Sequence, residues 1–242
     1  MVCRGCWYVP IVLFRSGDVI VGYSIVLGQA SFLYGLQDLA APAVDSLGGP
    51  SLAATAAPVF AVPGPRPWLP RAVSFPVVND RVFAAAVPVI TGAVGFTFAG
   101  WVRSLDAAAG LRVLFAGTDF PFLRLLNSQL GFSPPWGTFE STLALTVNTW
   151  HYVSISRSDD GLVLSMSRDG VVQSFASVAT PLVASGFGFS AALFSALAQV
   201  SQGAFFRRAI SQANINVLAA GPGFEARTAR FRGSGRFRAP GG

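Results

Sequence analysis

The sequence predicts an all-β fold, an antiparallel sandwich of two sheets, and three observations lead there. The run Phe96-Thr97-Phe98-Ala99-Gly100-Trp101 alternates with the period of two that a half-buried strand requires, placing Phe96 and Phe98 on one face and Thr97 and Ala99 on the other. Short apolar runs recur at roughly 8 to 12 residue spacing with Gly, Asp and Pro between them, the pattern of sandwich strands and their turns. Helical periodicity is scarce. A chain of 242 residues has room for one sandwich of about 150 residues plus extensions, and a domain of that size buries a sufficient core without metals or disulfides.

The first 38 residues form a hydrophobic segment open to two readings. Trp7 to Phe14 and Val19 to Leu27 read as two strands joined by the turn Arg15-Ser16-Gly17-Asp18. Alternatively, Val19 to Gln37 carries no formal charge, approaches the length that spans a bilayer and follows Arg4 and Arg15, as a membrane anchor would. Gly22, Ser24, Gly28, Gln29, Ser31 and Gly35 dilute that stretch, so strands or assembly contacts are favoured over an anchor. Residues 39 to 70 hold seven prolines, Pro42 to Pro70. Proline lacks a backbone donor and blocks helix interiors and central strands, so this stretch reads as an extended linker or arm. The sandwich is expected over 71–220 and a flexible tail over 221–242.

Within the sandwich, Ala72-Val73-Ser74-Phe75 and Arg81-Val82-Phe83 open the strand series. Val113-Leu114-Phe115-Ala116-Gly117, Phe122-Leu123-Arg124-Leu125-Leu126 and Gln129-Leu130-Gly131-Phe132 continue it. Then come Asn148-Thr149-Trp150-His151-Tyr152-Val153-Ser154-Ile155, the turn Asp159-Asp160-Gly161, the alternating Leu162 to Ser167, and Arg168-Asp169-Gly170-Val171. Near the end, Gly203 to Arg208 reads as a closing strand, with Ser211 as the N-cap of a short helix that buries Ile215 and Leu218.

This ordered succession resembles the laminin-G-like members of the concanavalin A-like lectin and glucanase superfamily, whose repeats read roughly F-T-x-x-x-W-V, then W-x-x-V, then a strand ending in D-G. The resemblance covers Arg71 to Ala220 and implies a jelly-roll sandwich that recognises ligands and does not catalyse. The superfamily's glucanases need paired acids in an E-x-D-x-x-E strand. Here Glu140 and Glu225 are the only glutamates and lie far apart in sequence. His151 reads as a hydrogen-bonded structural side chain, since one histidine does not make a triad. Cys3 and Cys6 form a C-x-x-C without a second pair, too few ligands for a zinc site.

The resemblance also implies Ca²⁺ at a loop rim, for which Asp119 and Asn127 are the candidate ligands with Glu140 nearby. Asp159, Asp160 and Asp169 read better as turn residues beside glycine. For a glycan, an aromatic plate with a few polar groups is required, and the loop Ser133 to Thr138 offers Trp136, with Asn127, Thr138 and Glu140 around it. The other reading of Trp136 is a cover for the sandwich edge or a subunit contact.

All 17 basic residues are arginine, and net charge is +6. Arg227, Arg230, Arg232, Arg236 and Arg238 lie in a Gly- and Phe-containing tail, which suits an acidic partner or nucleic acid bound by phosphate contacts and stacking. The expected function is a non-enzymatic adhesion module binding a glycan or protein surface, placed outside the cell, on a cell surface or on a virion. Its rival is a structural subunit of a large assembly, favoured by 52% hydrophobic and only 12% charged residues.

Overall fold

A computed structural model describes residues 23–77, 80–84, 90–106, 111–117, 121–134, 136–182, 186–189 and 197–222. Its elements are α1 (Tyr23–Leu27), β1 (Phe32–Tyr34), β2 (Ala53–Thr55), β3 (Val59–Arg66), β4 (Leu69–Phe75), β5 (Arg81–Ala84), β6 (Phe96–Ser104) and β7 (Leu111–Gly117). There follow β8 (Pro121–Leu126), β9 (Gln129–Phe132), β10 (Phe139–Ala144), β11 (Trp150–Arg157), β12 (Val163–Arg168), β13 (Val171–Ala176), β14 (Phe187–Phe189), β15 (Ala198–Phe206) and α2 (Gln212–Ala220). The predicted antiparallel sandwich is the architecture found.

The first sheet has the order β13-β12-β11-β6-β15-β4-β3, with β1 also on β15; the second has the order β10-β9-β8-β7-β14-β5-β2. β15 is the hub of the first sheet. One edge of it pairs with β6 throughout, while the other meets β4 at Ala198 to Val200 and β1 at Gly203 to Phe205. The changeover falls at Gln202, a bulge residue with φ of 58°. Gly203 beside it cannot carry a side chain, because a Cβ there would meet the Phe189 ring at 2.4 Å.

Two expectations for the N-terminal third are corrected. Residues 39–70 are no detached arm, for β2 pairs with β5 in the second sheet and β3 with β4 in the first. The prolines are accommodated because β3 is an edge strand, where Pro63 and Pro65 need offer no donor to a further neighbour. The stretch from Tyr23 to Gln37 is neither one strand nor one span. It is the short helix α1, a turn and the strand β1, and among the described residues no helix is long and apolar enough to cross a membrane. Residues 1–22, which include Cys3 and Cys6, lie outside the described residues.

Aromatic rings fill the space between the sheets. Phe98 lies 4.5 Å from Phe205 and 5.5 Å from Phe187, and Phe32 lies 4.6 Å from Phe187. A second apolar cluster covers the opposite face of the first sheet, where Trp101, Tyr152 and Phe206 pack with Tyr23, Ile215 and Leu218. α1 contributes Tyr23 and Val26 to that cover, and α2 contributes Ile215, Val217 and Leu218. Ser211 caps it by accepting from the Asn214 N–H at 3.3 Å, and Gly221, with φ of 80°, ends it.

Candidate functional site

The residues expected to bind a ligand do not converge. Trp136, Thr138 and Glu140 lie at one end of β9, in and beside the loop to β10, whereas Asn127 lies at the other end in the β8–β9 turn. Four strand residues separate those ends, about 13 Å at ~3.3 Å per residue. Asn127 and Ser128 have φ of 51° and 66°, the left-handed pair of a two-residue hairpin turn. Asp119, the other expected Ca²⁺ ligand, lies outside the described residues, as do Arg227, Arg230, Arg232, Arg236 and Arg238. Among the described residues no three His, Cys, Asp or Glu side chains cluster as a metal site would need.

Trp136 is not the projecting plate that its loop suggested. Its ring is half-buried against Phe132, centroids 6.3 Å apart, and the Arg157 guanidinium lies 4.8 Å from its centre. Arg157 is 0% exposed and is held by three backbone carbonyls: Nε donates to Val94 at 2.5 Å, Nη2 to Ala93 at 3.1 Å and Nη1 to Val178 at 3.2 Å. Burial pushes its pKa down to about 10. The same guanidinium also lies 5.0 Å from the Phe96 ring. Nothing in the local sequence announces this contact, since Arg157 and Trp136 meet only when β11 and the β9–β10 loop are folded together. Glu140 is likewise engaged, accepting from the buried Arg124, whose Nε donates to Ser133 at 2.6 Å.

The described carboxylates mostly hold backbone in place. Asp45 accepts from Leu33, Leu47 and Gly49 N–H groups, and Asp80 from Ala57 and Val77. Asp159 accepts from Ala209, while Asp160 accepts from Ser158 and Leu162 and is held below the usual carboxylate range by those bonds. Asp169, with φ of 52°, forms the β12–β13 turn with Gly170. One oxygen meets His151 Nδ1 at 2.5 Å and the other accepts from the Tyr152 N–H at 2.9 Å. Because His151 Nε2 accepts from the Thr146 N–H at 3.1 Å, the imidazole proton sits on Nδ1 and is donated to Asp169. Burial raises the Asp169 pKa, but the bonds from His151 and Tyr152 outweigh it and leave the carboxyl below its ordinary range.

Two clefts flank α2 on the outer face of the first sheet. The first, about 210 Å³, is lined by Ser154, Ser156, Ser165 and Ser167 under Ile210 and Gln212. Its hydroxyls pair across strands: Thr97 with Ser156 at 2.8 Å, Ser154 with Ser167 at 2.7 Å, and Ser165 with Ser174 at 2.8 Å. The second, about 290 Å³, is lined by Arg66, Trp101, Tyr152, Asp169 and Asn216. Sequence reading missed both. The available signal was that Trp101 shares a strand face with Thr97 and Ala99, opposite Phe96 and Phe98, so both faces of β6 carry large apolar groups.

No family model and no curated protein sequence matches the chain. Among solved structures it is similar to Trypanosoma rangeli sialidase in complex with sialic acid, at 13% identity and TM-score 0.62, over 86% of this chain and 35% of that one. It is also similar to the binding domain of Paraclostridial Mosquitocidal Protein 1, at 13% identity and TM-score 0.64, covering 80% of this chain and 52% of that one. A third likeness is to the botulinum neurotoxin serotype D binding domain, at 10% identity and TM-score 0.62, over 80% and 52% of the two chains. The chain spans between about a third and about half the length of these proteins. At such identities the likeness is one of fold, and it places the chain among antiparallel β-sandwiches.

Proposed function

We propose that the chain is a non-enzymatic recognition module that binds a glycan on the outer face of its first sheet. The observation that carries this reading is the hydroxyl-lined cleft between that sheet and α2. Hydroxyls both donate and accept and keep spare capacity after pairing with one another, which suits a ligand that is itself a polyol. Sharing a sandwich with two binding domains, one of them a botulinum neurotoxin's, and with a sialidase solved with sialic acid agrees with such a role. Against catalysis, Glu140 is tied to Arg124, and Asp169 is turned onto His151 and the Tyr152 amide. Neither is placed as the free acid or nucleophile of a glycosidase pair. The laminin-G-like resemblance and a place on an outer cell or virion surface belong to the same proposal.

Incubating the labelled full chain on an array of neutral and sialylated oligosaccharides tests it. Selective retention on a subset is expected; uniform background over the whole array overturns the reading. A second reading, self-assembly, is favoured by exposed Val163, Val171, Val172 and Val178 near the β12–β13 side of the first sheet. Light scattering over a concentration series tests that one, and a constant monomer mass removes it.

A further inference from the structure

The second cleft gathers polar groups whose hydrogen-bonding capacity the fold does not exhaust. Trp101 is only 3% exposed, and its indole N–H is enclosed without a hydrogen-bond partner among the described residues. A buried donor left unpaired is costly, so it marks a place where something else accepts. The Arg66 guanidinium lies 4.7 Å over the Trp101 ring and brings its donors to the mouth of the cleft. Asn216 has its amide oxygen taken by Gln212 at 2.9 Å, which leaves its NH₂ to donate. Opposite these donors, the Asp169 side chain is 44% exposed and is aimed by His151 and the Tyr152 amide while keeping spare lone pairs.

On this basis, and resting on the glycan-recognition reading above, we propose that this cleft is a primary subsite for one neutral pyranose residue. Asp169 accepts from two adjacent sugar hydroxyls, and Trp101 Nε1, Arg66 and Asn216 donate to the ring's oxygens. Ligand pockets begin near ~300 Å³, and the cleft's volume of about 290 Å³ lies at that lower bound, room for one sugar ring. Asp169 is the one carboxylate among the groups lining the cleft, with Arg66 lining it too and Arg168 Nε 4.0 Å from the Asp169 oxygen. A sialic acid would set its own carboxylate beside Asp169, which selects against acidic sugars.

Saturation-transfer NMR on the full chain with methyl glycosides of galactose, glucose, mannose and N-acetylglucosamine, alongside sialic acid, tests the assignment. At least one neutral glycoside is expected to bind, with tenfold or greater weakening in Arg66→Ala/Asn216→Ala. Trp101→Phe, which keeps a ring but removes the N–H, should weaken the same glycoside severalfold while the melting temperature confirms that the variant is folded. Unchanged binding in both variants overturns the subsite and leaves the recognition reading standing. Preference for sialic acid overturns the neutral-sugar assignment. If no array glycan and no glycoside binds the wild type, both readings fall together.

Discussion

Both faces of the first sheet are covered, but by different chemistry. On the inward face Phe96, Phe98, Val102, Val153, Ile155 and Phe205 meet the second sheet, and rings interlock until little space is left. On the outward face the same strands present Thr97, Ala99, Trp101, Tyr152 and Ser154 to α2, a helix of nine residues, with Tyr23 and Val26 of α1 joining the apolar cover. Two short helices do not cover so broad a surface, and clefts remain along the flanks of α2. The inner face therefore supplies rigidity, and the outer face leaves polar groups lining clefts on that rigid base.

The sharpest way to break this contrast is at its centre. Phe98→Ala should lower stability by about 3–5 kcal/mol or prevent folding, as measured by urea denaturation, because close packing leaves no means of filling the void. A loss under about 1 kcal/mol would mean the inner face is loosely packed. Next, Arg157→Met should cost about 3 kcal/mol, since the Ala93, Val94 and Val178 carbonyls lose their donor in a buried setting. Trp136→Ala should cost about 2 kcal/mol, less than a fully buried tryptophan, because its ring is half-covered. A stability change near zero would return Trp136 to the role of an exposed plate.

Smaller effects come from the His151–Asp169 pair. Its folded carboxyl pKa lies below the unfolded value, so its stabilisation is present in full above about pH 4, the ordinary carboxylate range, and is lost as pH falls through the lower folded pKa. Asp169→Asn should therefore flatten the acid side of a melting-temperature profile, the change falling below about pH 4. An unchanged slope would show that the pair contributes nothing. Smallest of all, Arg66→Ala and Asn216→Ala should each shift stability by no more than about 0.5 kcal/mol, as exposed positions do. Larger shifts would make the second cleft a structural feature and not a site.

The strands that carry alternation were legible: Phe96 to Trp101 became β6, Trp150 to Ile155 lies within β11, and Ser211 caps α2 as its position suggested. Local pattern sufficed there because pleat and cap chemistry act over a few residues. The Pro-rich 39–70 stretch misled because composition reports what a backbone cannot donate, not whether a neighbour requires the donor; on an edge strand none does. Trp136 stayed open between plate and cover because its burial depends on Arg157, far along the chain. The second cleft was invisible for the same reason. It assembles Arg66 from the end of β3, Trp101 from β6, Asp169 from a turn and Asn216 from α2, and no spacing within one segment encodes that meeting.

The central place of β15 has a consequence for how the protein is made. This strand pairs with β1, β4 and β6, all of which leave the ribosome long before it. At ~5–20 residues per second, the stretch between β6 and β15 takes roughly 5–20 s to synthesise, during which Phe32 and Phe98 have no Phe205 to close over them. The nascent chain thus carries a long-lived aromatic surface, and its yield should depend on how fast translation proceeds and on which chaperones wait at the exit.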